Sequence, residues 1–221
     1  MTRVIERVRE LGVVDDLVVA TDAPMVAEVV ERSGVRAVLT RADHPSGTDR
    51  VAEVAARPEF AGYDMIANIQ GDEPFLDGEA LRGAIARVRS GDDVGTAAAP
   101  LELAQVGDPS RVKVVTDRAG RALWFSRAAI PYRRDADAPT DGLYWQHVGL
   151  YVYTRAALAH WVSLPATAAE QAEKLEQLRA LEHGISIGVA RLGAGAHPGI
   201  DTAEDLTRAQ TYWRNLRGVK R

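Results

Sequence analysis

The first ninety residues alternate between two spacings of apolar positions. Over 4–11 an apolar residue recurs every three or four positions, which predicts a helix that ends near Gly12. The unbroken apolar run 17–20 predicts a short strand covered on both faces. The alternation continues with predicted helices over 24–33, 49–56 and 79–89 and predicted strands over 35–40 and 65–69. Strands separated by helices of about ten residues indicate βαβ units and a mostly parallel sheet.

From Val94 onward the pattern changes, and shorter elements follow one another. The segment 112–126 has a turn signal at 117–120 and predicts a β-hairpin. Further strands are predicted over 148–153 and 185–190, and further helices over 155–161, 170–181 and 202–216, the last with Thr202 as its N-cap. The whole chain is therefore predicted to be an α/β protein.

Composition narrows the class of protein. The 221 residues, 46% apolar and 26% charged, suit one globular domain or one domain with a smaller subdomain. A net charge of −4 argues against nucleic acid as the main ligand. No apolar stretch approaches the roughly 18 residues that span a bilayer, and the absence of cysteine suits a reducing compartment. We therefore expect a cytoplasmic protein without membrane insertion.

Two aspartates follow predicted strands at positions where α/β proteins bind ligands. Asp72 follows the strand 65–69, and Asp201 lies between the strand 185–190 and the last helix. Mg²⁺ prefers one or two carboxylates together with substrate phosphates, so the pair predicts a metal site. The alternatives are that Asp72 caps a turn and that Asp201 is a favourable charge at a helix N-terminus.

A polar loop over 40–50 follows the second predicted strand and leads into a helix. Ser46, Gly47 and Thr48 would let the backbone approach a ligand closely, and the helix N-terminus would supply amide donors. A polar loop with an ordinary capping residue is the alternative.

Three downstream features carry weaker signals. Arg127 follows a strand, His147 stands at the start of another, and the helix over 173–179 is rich in charge. His147 could donate to an anionic or hydroxyl-rich ligand, although a lone histidine is more often structural. The charged helix is usually a solvated face.

In their order and spacing these segments resemble the CMP-Kdo synthetase family, the cytidylyltransferases that activate the eight-carbon sugar acid 3-deoxy-manno-octulosonate (Kdo). The resemblance covers nearly the whole chain. The segments that carry it are 19–22, 40–50, 68–74, 112–115, 125–131, 147–151, 175–179 and 199–206.

The resemblance implies the Rossmann-like nucleotide-diphospho-sugar transferase fold and a homodimer. The nucleotide-binding part would be about 1–100 and 185–221, and a β-rich part that binds sugar and forms the dimer would be about 101–184. The implied reaction converts CTP and Kdo into CMP-Kdo and pyrophosphate for lipopolysaccharide synthesis. Kdo and its 8-amino analogue stay open as alternatives.

The resemblance also implies roles for individual residues. Asp72 and Asp201 would be catalytic by holding Mg²⁺. The cytidine nucleotide would contact Ala20, Thr21, Ser46, Gly47, Thr48, Arg50 and Gln70. The sugar would contact Gln70, Arg127, His147, Glu176 and Gln177.

One departure from the family concerns the start of the chain. Family members begin with a sheet strand and a basic loop that holds the triphosphate, whereas this sequence starts after both, so a first sheet strand is expected to be missing. Three interpretations follow: an enzyme whose start codon is placed too late, a truncated inactive remnant, or a non-enzymatic regulator that binds sugar or nucleotide. We expect turnover far below that of a version extended upstream.

Overall fold

The computed structural model describes residues 1–135, 137–195, 200 and 203–218, and the side chains of 203 and 215–218 are outside that description. Its first half contains α1 (Thr2–Leu11), β1 (Val18–Thr21), α2 (Pro24–Arg32), β2 (Arg36–Leu39), α3 (Gly47–Ala55), β3 (Met65–Ile69) and α4 (Gly78–Arg89). Its second half contains β4 (Val94–Pro100), β5 (Lys113–Thr116), β6 (Ala122–Ser126), β7 (Trp145–Thr154), α5 (Arg155–Ser163), α6 (Ala168–Glu173), α7 (Gln177–Glu182), β8 (Ile187–Arg191) and α8 (Ala203–Gly218).

A six-stranded mixed sheet forms the centre of the molecule. Its strand order is β6-β5-β7-β4-β8, and β3 pairs with β7 beside this path. Strand β7 runs antiparallel to β3, β4 and β5, while β4 and β8 are parallel. Strands β3, β4 and β8 therefore share one direction, and β7 lies among them in the opposite direction. The predicted α/β class is confirmed, with this antiparallel strand as a feature that the helix spacing did not indicate.

Strands β1 and β2 form a separate parallel pair. Strand β1 pairs on one edge with β2, and β3 pairs on one edge with β7. In the part of the chain that the structure describes, the other edge of each strand pairs with no strand. Helix α1 connects the two sheets through packing, because Ile5 lies in a core cluster with Val19 while Val8 lies in a cluster with Met65 and Ile69. Side-chain packing therefore joins the sheets where no backbone ladder does.

Helix α4 approaches β4 unusually closely. A Cβ atom built on Gly95 would lie 1.9 Å from the backbone oxygen of Ala84, so only glycine permits this contact. Strand β4 is buried along Val94–Ala99 and consists largely of small residues. Small side chains let the helix lie directly on the strand.

Besides shifts of one to three residues at the ends of several elements, two features of the secondary structure differ from the sequence prediction. The helix predicted over 170–181 is two helices, because Lys174 ends α6 in the left-handed conformation with φ 53° and α7 starts afresh at Gln177. Strand β4 was not predicted, since its alanine-rich sequence has no strand pattern. The predicted N-cap Thr202 lies outside the described residues.

None of the described helices is both long enough and apolar enough to cross a membrane.

Candidate functional site

The loop after β2 is held over the end of β1 by one arginine. Arg50 Nη1 donates to Thr40 Oγ1 at 2.6 Å and lies 3.1 Å from Asp22 Oδ1. The backbone contributes as well, because the amide of Thr40 donates to the carbonyl of Thr21, the last residue of β1, at 3.0 Å. The predicted nucleotide residues Thr21 and Arg50 therefore lie together, with Ala20 preceding Thr21 in the same strand.

Helix α3 begins at this loop with an ordinary cap and an open approach. The Ser46 hydroxyl accepts from the amide of Asp49 at 3.3 Å and lies 2.6 Å from its carboxylate. Apart from Gly47's sequence neighbours and its own helix backbone, no atom of the described residues lies within 4 Å of a Cβ built on Gly47. Ser46 is thus the helix cap that the alternative interpretation described, and the backbone at Gly47 is open to a ligand.

A histidine–glutamate pair braces the base of the loop, and the sequence analysis did not select it. His44 Nε2 lies 2.5 Å from Glu53 Oε2, and the amide of Arg41 donates to the same carboxylate at 3.1 Å. The hydrogen bonds from His44 and Arg41 lower the pKa of Glu53 to about 2. His44 lies in the loop and Glu53 in the helix, nine residues later, and this spacing matches no motif that would have identified the pair from the sequence.

Thr48 connects the predicted nucleotide and sugar residues. Its buried hydroxyl donates to Glu176 Oε1 at 2.8 Å and lies 3.3 Å from the hydroxyl of Tyr153. The second carboxylate oxygen of Glu176 is buried and has no hydrogen-bond partner among the described residues. A buried acceptor without a donor is costly, and a ligand hydroxyl would satisfy it.

His147 lies in an aromatic cluster next to this contact. Its ring centroid is 5.1 Å from that of Phe125 and 5.2 Å from that of Tyr151, and Tyr151 stacks on Tyr153 at 5.8 Å. Its Nε2 lies 2.9 Å from Thr96 Oγ1. Burial lowers the pKa of His147 to about 4, so the imidazole is neutral near pH 7. The sequence analysis identified His147 but neither Thr96 nor the two tyrosines.

Gln70 reaches this cluster from the end of β3. Ile69 pairs with Leu150 in the sheet, which places the following residue beside the middle of β7. A Cβ built on Gly149 would lie 3.6 Å from Gln70 Nε2, so the amide covers the backbone at Gly149. Gln70 is exposed and free to turn toward a ligand.

Arg127 is held mainly by backbone oxygens. Its Nε donates to the Glu173 carbonyl at 2.7 Å and its Nη1 to the Pro109 carbonyl at 3.0 Å. Within the described chain, Nη2 has no hydrogen-bond partner, so this nitrogen is the part of Arg127 available to a sugar carboxylate. Gln177 is buried at the start of α7, immediately after Glu176.

Asp72 lies just beyond β3 and is half-buried. Its carboxylate makes no hydrogen bond or ion pair with the described residues, while its carbonyl accepts from the amide of Ile200 at 3.0 Å. Asp201 follows Ile200 in the sequence but lies outside the described residues. No group of three His, Asp or Glu side chains suited to a metal occurs in the described ranges.

Comparison with known proteins gives one consistent family. A family model for cytidylyltransferases matches residues 1–187. A Gemmatimonas aurantiaca protein named 3-deoxy-manno-octulosonate cytidylyltransferase is 55% identical over 216 residues, which is 96% of this chain and 83% of the relative. A Methylococcus capsulatus protein of the same name is 43% identical over 221 residues, covering 96% of this chain and 86% of that protein.

Solved structures agree with this grouping. CMP:2-keto-3-deoxy-manno-octonic acid synthetase in complex with CTP has a TM-score of 0.89 at 37% identity, over 96% of this chain and 86% of that chain. A 4-diphosphocytidyl-2C-methyl-D-erythritol synthase from Anaerococcus prevotii has a TM-score of 0.60 at 11% identity, over 96% of this chain and 88% of that one, and shows the fold alone. This chain belongs to the cytidylyltransferase family of nucleotidyltransferases, and it groups there with the CMP-Kdo synthetases.

Proposed function

We propose that this chain transfers the cytidylyl group of CTP to Kdo and forms CMP-Kdo and pyrophosphate. The observation that carries the proposal is the contact between Thr48 and Glu176, which joins a residue expected at the nucleotide to one expected at the sugar. The two lie 128 positions apart in the sequence. A CTP-bound synthetase of the same fold and the names of the two relatives support the same substrates.

The reaction is an in-line displacement at phosphorus. The anomeric hydroxyl oxygen of Kdo forms a bond to the α-phosphorus of CTP, the bond from that phosphorus to the bridging oxygen breaks, and pyrophosphate leaves with the electron pair. The hydroxyl proton is released in the same reaction. Positioning and charge compensation are the main tasks of the protein in such a transfer.

Mg²⁺ fits the donor set at the end of β3. The carboxylate of Asp72 has no partner among the described residues. The backbone carbonyl of Asp72 accepts a hydrogen bond from the amide of Ile200, the residue before Asp201 in the sequence. Asp72 and Asp201 would hold the ion, since Mg²⁺ takes one or two carboxylates plus phosphate oxygens rather than a closed protein cage. When bound, Mg²⁺ would offset the charge that develops on the phosphates.

The sugar would lie between Gln70, His147 and Glu176. The partnerless Glu176 Oε2 would accept from a sugar hydroxyl, and the exposed Gln70 amide can donate and accept. Arg127 Nη2 would donate to the sugar carboxylate from the rim of the site. At the nucleotide, the open backbone at Gly47 would lie near the base or ribose.

We further propose a homodimer formed by the part about 101–184. Strand β6 lies at the end of the sheet order, Leu123 on it is 60% exposed, and Tyr132 beyond it is 86% exposed. Apolar side chains at a sheet edge are typical of an interface. Light scattering should give twice 23.9 kDa, and Leu123→Asp should shift the mass toward the monomer.

A cytoplasmic location and a role in lipopolysaccharide synthesis are part of the proposal, because CMP-Kdo is an activated sugar donor and the chain has no cysteine.

The test is pyrophosphate release from CTP with purified protein and Mg²⁺. Release should require Kdo, and Asp72→Asn and Asp201→Asn should each lower kcat at least a hundredfold while the far-ultraviolet circular dichroism stays unchanged. Asp15→Asn, which changes an exposed carboxylate outside the site, is the matched control and should retain full activity. Full activity of either site variant would remove that aspartate from the proposed metal site.

The same assay compares sugars. Kdo and its 8-amino analogue differ at one carbon, so the ratio of their kcat/KM values decides which is the better substrate. No release with either sugar, from protein shown to be folded, would contradict the proposed function.

A further inference from the structure

Strand β7 is irregular opposite Thr96. Gly95 pairs with Val152 and Ala97 pairs with Val148, so three residues of β7 face the single residue Thr96. A bulge of this kind interrupts the backbone ladder and leaves carbonyl groups in need of donors. Thr96 is fully buried at this point. Its side chain therefore lies where the sheet itself supplies too few hydrogen bonds.

The Thr96 hydroxyl has one proton, and its contacts show where that proton goes. Oγ1 lies 2.7 Å from the Leu150 carbonyl oxygen and 3.4 Å from the Val148 carbonyl oxygen, and both oxygens can only accept. The proton therefore points at Leu150, and Oγ1 offers a lone pair to its next neighbour. That neighbour is His147 Nε2 at 2.9 Å, which must then be the donor. The imidazole thus carries its hydrogen on Nε2.

The other ring nitrogen of His147 is left as an acceptor. Among the described residues Nδ1 has no hydrogen-bond partner, and His147 as a whole is half-buried. The ring packs against Phe125 and Tyr151. A neutral imidazole with hydrogen on Nε2 can accept at Nδ1 but cannot donate there. From the sequence, a donor was expected at this position.

We propose that Thr96 is a positioning residue that holds His147 in the Nε2–H form, so that Nδ1 accepts a hydrogen bond from a hydroxyl of the bound sugar. The inference rests on the proposed function, because it assigns the partner of Nδ1 to the sugar. It also divides the sugar contacts by type. Arg127 Nη2 donates to the carboxylate, whereas His147 and Glu176 accept from hydroxyls.

The tautomer can be measured without any activity. Long-range ¹H–¹⁵N correlation spectra of the full chain with ¹⁵N-labelled histidine distinguish the two neutral forms, and His147→Gln identifies the signal among the five histidines. We expect the Nε2–H form in the unmodified chain at pH 7. An Nδ1–H form or a doubly protonated ring at His147 would overturn the proposal.

Variants of Thr96 test the positioning. Thr96→Val keeps the shape and removes the hydroxyl, so His147 should show a mixture of forms, and KM for Kdo should rise about tenfold while KM for CTP stays within twofold. Thr96→Ser retains the hydroxyl and should keep both values at those of the unmodified chain. If the valine variant fails to fold, Thr96→Ala removes the hydroxyl in its place and should show the same changes. Thr116→Val is the control, because that strand threonine bonds to Arg191 instead of a histidine.

The outcomes separate the inference from the function that it rests on. An unchanged tautomer and an unchanged KM for Kdo in Thr96→Val would overturn the role of Thr96. If the unmodified chain has the Nε2–H form but never turns over Kdo, the proposed function fails and the sugar contact fails with it, while the hold of Thr96 on His147 stands.

Discussion

The hydroxyl of Thr48 lies 2.8 Å from Oε1 of Glu176 and joins the first turn of α3 to the start of α7. Helix α3 follows the loop expected to hold the nucleotide, and α7 follows the break at Lys174. The same hydroxyl lies 3.3 Å from Tyr153 on β7. Three distant segments of the chain therefore meet at one buried oxygen.

Removing this hydroxyl should affect both stability and sugar binding. Thr48→Val leaves the Glu176 carboxylate without its donor, so we expect a loss of about 1–3 kcal/mol in the free energy of unfolding, measured in urea. KM for Kdo should rise about tenfold, because Glu176 is no longer held in one orientation.

A double-mutant cycle isolates the contact. Thr48→Val should cost clearly less in a Glu176→Leu background than in the unmodified chain, because leucine has no acceptor for the Thr48 hydroxyl. Thr48→Ser should behave like the unmodified chain. Strictly additive losses would show that the two side chains do not interact.

The close approach of α4 to β4 depends on a single glycine. Gly95→Ala would place a methyl group 1.9 Å from the Ala84 backbone oxygen, and the helix must move away. We expect a loss of about 3 kcal/mol or more, or failure to fold. Gly107→Ala, where no atom lies within 4 Å of the added Cβ, should change stability by less than about 1 kcal/mol. Equal urea midpoints for the two variants would contradict this packing.

Elements with a local sequence signal were predicted, whereas elements that depend on packing such as that of α4 on β4 were missed. Strand β3 was predicted with its observed ends, because an apolar run between polar segments is a local signal. Strand β4 was missed, since Thr-Ala-Ala-Ala favours a helix and becomes a strand only between α4 and the neighbouring strands. The break at Lys174 was missed as well, because lysine rarely adopts positive φ and gives no warning of a helix end.

Acid should weaken the loop that precedes α3. Glu53 has a folded-state pKa of about 2 and an ordinary value of 4.5, so the unfolded chain binds the proton more readily. The stabilisation by this carboxylate is complete above pH 4.5 and is lost as the pH falls toward 2. The difference in unfolding free energy between the unmodified chain and Glu53→Gln should therefore shrink from pH 6 to pH 3.

An exposed glutamate close by is the control for this pH dependence. Glu59→Gln removes a carboxylate four residues beyond the end of α3 and should leave the pH profile unchanged. A Glu53→Gln profile parallel to that of the unmodified chain would rule out the brace formed with His44.

The side chain of Lys113 is hydrogen-bonded to the backbone of the segment around Arg127. Its buried Nζ donates to the carbonyls of Asp108, Arg111 and Arg127 at 2.9, 2.6 and 2.6 Å. Lys113→Met fills the space but removes the donor that these three carbonyls share, and the Asp108 carbonyl keeps the Arg111 amide as a second donor at 3.2 Å. We expect a loss of roughly 2–3 kcal/mol in the free energy of unfolding and a higher KM for Kdo. Thermal unfolding and sugar titration measure the two effects, and an unchanged Tm would contradict the role of Lys113.

The site was predictable where chemistry follows a strand end and unpredictable where it depends on the fold. Asp72 was selected because it follows the predicted strand β3, whereas Gln70 was assigned to the site through the family resemblance, and the roles of both stay predictions. In the sequence, Thr96, Tyr153 and Lys113 resemble ordinary core or strand residues. Their roles depend on hydrogen bonds to residues distant in the sequence, which are visible only in the structure. Asp201 remains a prediction, since it lies outside the described residues.

The most direct measurement is identification of the products by ³¹P nuclear magnetic resonance and mass spectrometry from CTP, Kdo, Mg²⁺ and the full chain. The account predicts CMP-Kdo and pyrophosphate in equal amounts, with none of either when Kdo is left out. CTP that stays intact in the complete mixture, or pyrophosphate that forms without CMP-Kdo, would contradict it.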